Sequence, residues 1–267
     1  MFRPRVIPCL LLKEYGLVKT IAFKDPRYIG DPINAVRIFN EKEADELLFL
    51  DIMASRRQGI LGRTAKGRIP LEMVAKISRE CLMPLTYGGG VQTVEQIRGL
   101  FNAGVEKVAI NTQALVNPGL VQEASEIFGS QSIIISIDAR RGPNGRYEVF
   151  SHCGSRATGL DPVELAQRME ALGAGEIMIT SIDNDGSMAG YDIALTRSIA
   201  DRVGIPVIAC GGAGRLEDLN AGYYEGNASA LAAGSFFVYH GRKRAVLISY
   251  PTRAELENAF AGKDRSS

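Results

Sequence analysis

The sequence is poor in the residues that mark several functional classes. Its 267 residues include only two histidines and four cysteines. Cys9, Cys81, Cys153 and Cys210 lie far apart, and none is paired at zinc-ligand spacing, with only His152 and His240 left as nitrogen ligands. No metal site is therefore expected. Three of the cysteines sit in or beside apolar runs and read as small buried hydrophobes. Charge of one sign is also lacking: 31 Lys and Arg face 30 Asp and Glu, for a net charge of +1. Overall charge thus gives a nucleic-acid partner no support. No apolar run approaches the roughly 20 residues that span a bilayer. Met1–Arg5 leads into a short apolar stretch that Lys13 and Glu14 interrupt. A secretory signal needs a longer apolar region and a small-residue cleavage site, so a reducing cytoplasm is the expectation.

What the chain does contain is a recurring unit. Short, near-continuous runs of Val, Ile, Leu and Ala occur at Val6–Leu11, Leu47–Asp51, Pro84–Tyr87, Val108–Asn111, Ile133–Asp138, Ile177–Ser181, Val207–Cys210 and Ala230–Ala233. Runs of this kind predict strands buried on both faces, as in a parallel sheet. Amphipathic stretches lie between them: Ala35–Asn40 with Glu41–Asp45, Ile69–Glu80, Val94–Ala103, Pro118–Phe128, Pro162–Leu172, Ala194–Val203 and Leu216–Glu225. Alternation of this kind fits a closed barrel or a long doubly wound sheet. Length favours an α/β fold of the (β/α)8 TIM barrel type, and so does an internal repeat. Met83–Gly90 matches Ile205–Gly212, Asp45–Leu48 resembles Gly175–Met178, and Ile7–Leu11 echoes Ile134–Asp138. The expectation is one barrel domain over 1–267, built from two similar half-barrels, with a frayed polar tail at 262–267. Residues 55–68 form the longest irregular stretch, carrying Arg56, Arg57, Arg63, Lys66 and Arg68. A charge run of this kind is commonly a solvated surface.

In a barrel of this type the chemistry sits where the strands end and the βα-loops begin. Three such ends are rich in small residues: Gly88–Gly90, Gly211–Gly214 and Ala232–Ser235. Glycine lets the main chain approach an anion and present N–H groups to it. The last two follow the seventh and eighth strands, a common phosphate position. The repeat places a second phosphate position at Gly88–Gly90 with Asn111 and Thr112. A phosphorylated small molecule with an anionic group at each end would span the mouth. Asp51, Asp138, Asp183 and Asp185 stand at strand ends as candidate acids or bases, the alternative being helix caps or loop hydrogen bonds. Arg5, Glu46, Lys107 and Glu176 each precede a strand, at the opposite rim. If they turn inward they make a ring of two cations and two anions; otherwise they are solvated rim charges.

Over nearly its whole length the chain resembles the cyclase subunit of imidazole glycerol phosphate synthase, the HisF family. Ile7–Leu10, Leu17–Lys19, Asp45–Ile52, Tyr87–Val91, Lys107–Thr112, Ser136–Ala139, Gly173–Gly186, Gly190–Asp192 and Pro206–Gly214 carry the resemblance. It implies a barrel paired with a HisH-like glutaminase subunit, whose ammonia crosses the barrel to the mouth. Arg5, Glu46, Lys107 and Glu176 match the family's charged ammonia gate. Gly89, Asn111, Thr112, Asp185, Gly186, Gly212, Gly234 and Ser235 lie at or near its two phosphate sites. Asp138 matches one catalytic aspartate and Lys19 a lysine on a mobile loop; no organic cofactor or metal is implied. The family's other catalytic aspartate belongs where this chain has Leu11, which cannot transfer a proton. General acid–base catalysis contributes roughly 10²–10⁴-fold, so the loss should cripple cyclisation. Ser187 for the usual threonine and Cys210 for the usual serine are milder departures.

Pro8–Lys13, Phe23–Tyr28 and Arg244–Pro251 look like a paralogue branch similar to the glycan-amidation proteins (WbuZ type) of surface-polysaccharide gene clusters. That resemblance implies work beside a glutaminase and a separate sugar amidotransferase, converting an acetamido group to an acetamidino group. Two alternatives stand beside it. One is an authentic cyclase of histidine biosynthesis with a rearranged acid–base pair. The other is a non-catalytic scaffold that activates the glutaminase.

Overall fold

The computed structural model describes residues 3–54, 69–241 and 243–261. The basic stretch at 55–68 and the polar tail at 262–267 lie outside the described residues. Eight parallel strands close a ring: β1 Arg5–Lys13, β2 Leu47–Asp51, β3 Leu85–Gly88, β4 Lys107–Ile110, β5 Ile133–Arg141, β6 Glu176–Ser181, β7 Val207–Cys210 and β8 Ala230–Ala233. Each pairs with its chain neighbour, and β8 returns to β1 with Ala230 opposite Arg5. The fold is the expected (β/α)8 barrel.

Burial on both faces explains the continuous apolar runs. Inward residues such as Ile7, Leu48, Ala109, Ile134, Met178 and Ile208 fill the lumen. Outward residues such as Val6, Phe49, Ile135 and Ile177 pack beneath the helices. Those helices are α1 Pro32–Glu41, α2 Leu71–Glu80, α3 Val94–Asn102, α4 Gly119–Phe128, α5 Pro162–Ala171, α6 Ile193–Ala200, α7 Leu216–Tyr224 and α8 Arg253–Ala259. Asp31, Thr93, Asp161, Asp192 and Thr252 cap α1, α3, α5, α6 and α8 by accepting from main-chain N–H groups of the first turn. Such caps satisfy donors that the helix itself leaves open. They fix where each βα-loop ends and therefore the shape of the mouth.

Three features depart from the sequence reading. Of the stretch Glu41–Asp45 only Glu41 belongs to α1, because the chain turns after it and Glu43 adopts a φ of 53°. Asn111 is not the last residue of β4; it precedes a short helix, Thr112–Val116. Two antiparallel excursions cross the mouth: the hairpin Gly16–Ile21 with Lys24–Gly30, and the arm in which Tyr147–Ser151 pairs with the end of β5.

Candidate active site at the barrel mouth

The strand ends and the two excursions enclose one cavity. Leu11, Lys19, Gly89, Asn111, Asp138, Asp185, Gly186, Gly212, Gly234 and Ser235 all line it, and with the part open to solvent it measures about 940 Å³. Thr112 lines an adjoining recess with Gly89, Gly90 and His152. Sequence reasoning had placed all eleven at the mouth.

Asp138 points inward from β5 and is buried. Its carboxylate accepts a hydrogen bond from Asn111 Nδ2 at 3.0 Å. Burial pushes its pKa up to about 7, with the Asn111 bond opposing that shift. A carboxyl in that range can take and return a proton near neutrality. Leu11 points inward from β1, four strands away in an eight-strand ring, so the two face each other across the mouth. Leu11 is buried, and its register partner is Leu50. Apart from Asp51 at the end of β2, the side of the mouth formed by β1 and β2 is therefore apolar.

Two small-residue cradles flank this centre. In the first, Gly89 has a φ of 112°, and a Cβ there would stand 2.5 Å from the Asp51 carbonyl oxygen. Thr112 donates to Asn111 Oδ1 at 3.3 Å and accepts from the His152 N–H at 3.1 Å. In the second, Gly212 has a φ of 115°, and a Cβ would collide with the Gly190 carbonyl. A Cβ on Gly234 would collide with the Lys19 ammonium, which donates to the Cys9 carbonyl at 3.2 Å. Lys19 thus brings its positive charge to the second cradle. Ser235 is buried, and its Oγ has no hydrogen-bond partner among the described residues. A buried hydroxyl without a partner costs free energy unless a ligand completes it.

The remaining strand-end acids do structural work. The Asp185 carboxylate accepts from Thr20 Oγ1 at 2.7 Å and from the Phe23 N–H at 3.4 Å, while its own N–H donates to Ser181. It anchors the hairpin, and its N–H is engaged by the Ser181 carbonyl. Asp183 pairs with Arg140 at 3.2 Å and accepts from the Arg141 N–H, which secures the arm. Asp51 accepts from the Met53 N–H at 2.9 Å.

The opposite end of the lumen is closed by charge. Arg5 reaches Glu46 and Glu176, each at 2.6 Å. Lys107 reaches Glu176 at 2.7 Å and Glu46 at 3.4 Å. Thr86 donates to Glu46 at 2.9 Å. The four charges turn inward and form a ring. Between it and the mouth, the axis is lined mainly by apolar side chains.

Three of the cysteines were read as small buried hydrophobes, and Cys9 and Cys210 are indeed buried in the lumen cluster; these two and Cys153 also line the mouth. Cys9 and Cys210 share a side-chain hydrogen bond, which lowers the pKa of the first and raises that of the second. Cys153 Sγ lies 3.2 Å from the Ile52 carbonyl that accepts from it. Thr20, Phe23 and His152 were also missed. The hairpin and arm that carry them have no apolar run to announce them. Among the described residues no group of three or more potential metal ligands is assembled, and no helix is long and apolar enough to cross a membrane.

Comparisons with known proteins agree with this architecture. A family model described as histidine biosynthesis protein matches residues 5–243. A Pseudomonas aeruginosa protein provisionally named imidazole glycerol phosphate synthase subunit hisF2 is 52% identical over 96% of this chain and 99% of its own length. Provisionally named HisF subunits of that synthase from Leptospira borgpetersenii and Leptospira interrogans are 45% and 44% identical, each over 97% of this chain and 100% of its own length. With a closed barrel, paired small-residue cradles and these relatives along almost its full length, the chain belongs to the histidine biosynthesis protein family and is a HisF-like barrel subunit.

Proposed function

We propose that this barrel receives ammonia from a HisH-like glutaminase and supports amidation of a sugar, acetamido to acetamidino, in surface-polysaccharide biosynthesis beside a separate sugar amidotransferase. The observation that carries the reading is Leu11 facing Asp138. The mouth keeps its small-residue cradles and the Asp138 carboxyl, but the position facing it on β1 holds no proton-transfer group. The floor and lumen support a conduit. Neutral ammonia crosses an apolar lumen cheaply, whereas ammonium or another ion would bear a large desolvation cost. The ring of Arg5, Glu46, Lys107 and Glu176 closes that route until a partner rearranges it.

The test is a reconstitution. The protein is combined with a HisH-like glutaminase and offered either phosphoribulosyl-formimino aminoimidazole carboxamide ribonucleotide or a candidate sugar amidotransferase with its acetamido sugar. Glutamine-dependent amidine formation that requires this chain is expected. Cyclase turnover at the rate of a two-aspartate enzyme would defeat the reading.

A second reading is an authentic cyclase making imidazole glycerol phosphate, as the names of the relatives suggest. Asp138 favours it, since a carboxyl with a pKa of about 7 could serve as both acid and base. The same reconstitution separates the two.

A further inference from the structure

We propose that the apolar side of the mouth seats a small acyl group, so that the phosphorylated ligand of this site carries an N-acyl substituent. The inference rests on the reading of the mouth as a phosphate site. Leu11 and Leu50 are register partners on adjacent strands, Ile52 packs with them, and Phe23 of the hairpin joins the same cavity. The far side, at the mouth ends of β4 to β6, presents Asn111, Ser136, Asp138 and Thr180. A group held between these walls must be aliphatic on one edge and hydrogen-bonding on the other.

An N-acyl group has that form. Its methyl loses contact with water against Leu11, Leu50 and Ile52, which favours binding. Its carbonyl and N–H are left for the polar side. Asp138 is protonated below about pH 7 and can then donate to an acyl oxygen. A polyhydroxylated group against the same wall would surrender hydrogen bonds to water with nothing in return. The Gly212, Gly234 and Ser235 cradle, with Lys19 beside it, holds the phosphate at one edge of this space.

Titration calorimetry on the full chain tests the seat with three probes: N-acetylglucosamine 1-phosphate, glucose 1-phosphate and inorganic phosphate. The acetylated probe should bind about fourfold or more tightly than glucose 1-phosphate, as expected for one buried methyl. Inorganic phosphate should displace both. Leu11→Asp should abolish the preference, and Leu11→Met, which keeps an apolar wall, should retain it. Equal or reversed affinities for the two sugar phosphates would overturn the acyl seat and leave the phosphate site standing. A preference that survives Leu11→Asp would also overturn it. If none of the three probes binds, the phosphate reading itself fails and the seat with it.

Discussion

The two halves of the barrel share a main chain and differ in the side chains they aim at the mouth. Ile7, Cys9 and Leu11 of β1 correspond by the repeat to Ile134, Ser136 and Asp138 of β5, and Leu50 of β2 corresponds to Thr180 of β6. Near the floor the pairs are alike. Toward the mouth the first half turns apolar where the second turns polar. The cradles, in contrast, are kept in both: Gly89 against the Asp51 carbonyl and its repeat counterpart Gly211 against the Ser181 carbonyl are held by the same backbone crowding. The shape of the cradles thus depends on the main chain, which side-chain change leaves untouched. A proton-transfer group, by contrast, is a single side chain, and β1 carries Leu11 where β5 carries Asp138.

The sharpest challenge to this contrast is to restore the symmetry. Leu11→Asp should raise any trace cyclase turnover by about 10²-fold or more, since it supplies a second proton-transfer group. The rate with ammonium salt as nitrogen donor, followed by product formation, checks it. No change would remove the catalytic meaning of Leu11.

The next effect belongs to the floor, which both halves share. Glu46→Ala leaves the partly exposed Arg5 and Lys107 to share Glu176, and the Thr86 hydroxyl without its acceptor, and should destabilise the fold by about 1–3 kcal/mol. Denaturant unfolding measures that. In the reconstituted complex, glutamine-dependent product should fall more than product made from free ammonium.

Asp138 gives a pH-dependent test. Its folded pKa, about 7, lies above the ordinary carboxylate value, so the folded protein binds a proton that the unfolded chain releases. That contribution to stability is fully present below about pH 4 and is lost as pH rises through about 7. Asp138→Asn should therefore raise stability at pH 8 relative to the parent by up to about 4 kcal/mol and have little effect at pH 4. Thermal unfolding of both proteins across that range is the check. A constant difference would mean that Asp138 ionises normally.

The smallest expected change is in the hairpin. Thr20→Val removes the hydroxyl that Asp185 accepts from at 2.7 Å, at a cost of about 1 kcal/mol. Hydrogen exchange should quicken at residues 16–30 while the barrel strands stay protected. Unchanged exchange would place the hairpin's hold elsewhere, in Phe23 beside Gly154 and in the Ala22 N–H that donates to the Asp185 carbonyl.

Much of the barrel was legible because its strands are buried on both faces and their composition says so. Val207–Cys210 and Ala230–Ala233 were read to the residue. Mouth residues were legible because the fold fixes which end of a strand carries chemistry. The hairpin was not, since Lys24–Tyr28 is exposed and includes Pro26, leaving no buried pattern to read. Helix α8 was missed although Thr252 and Glu255 form a capping box, a signal present in the sequence and passed over. Cys153 could not be placed from sequence. It reaches the mouth through a turn in which His152 and Cys153 both adopt positive φ.

The floor ring has a consequence for the barrel as an assembly of two pieces. Arg5, Glu46 and Lys107 lie in the first half of the chain, and Glu176 lies in the second. Severed between α4 and β5, the first piece would carry two cations against one acid, and the second an acid with no cation of the set. Neither fragment could neutralise its own base plate. Co-expression of the two as independent polypeptides would therefore select for their mutual capture, with electrostatic matching at the underside steering the union.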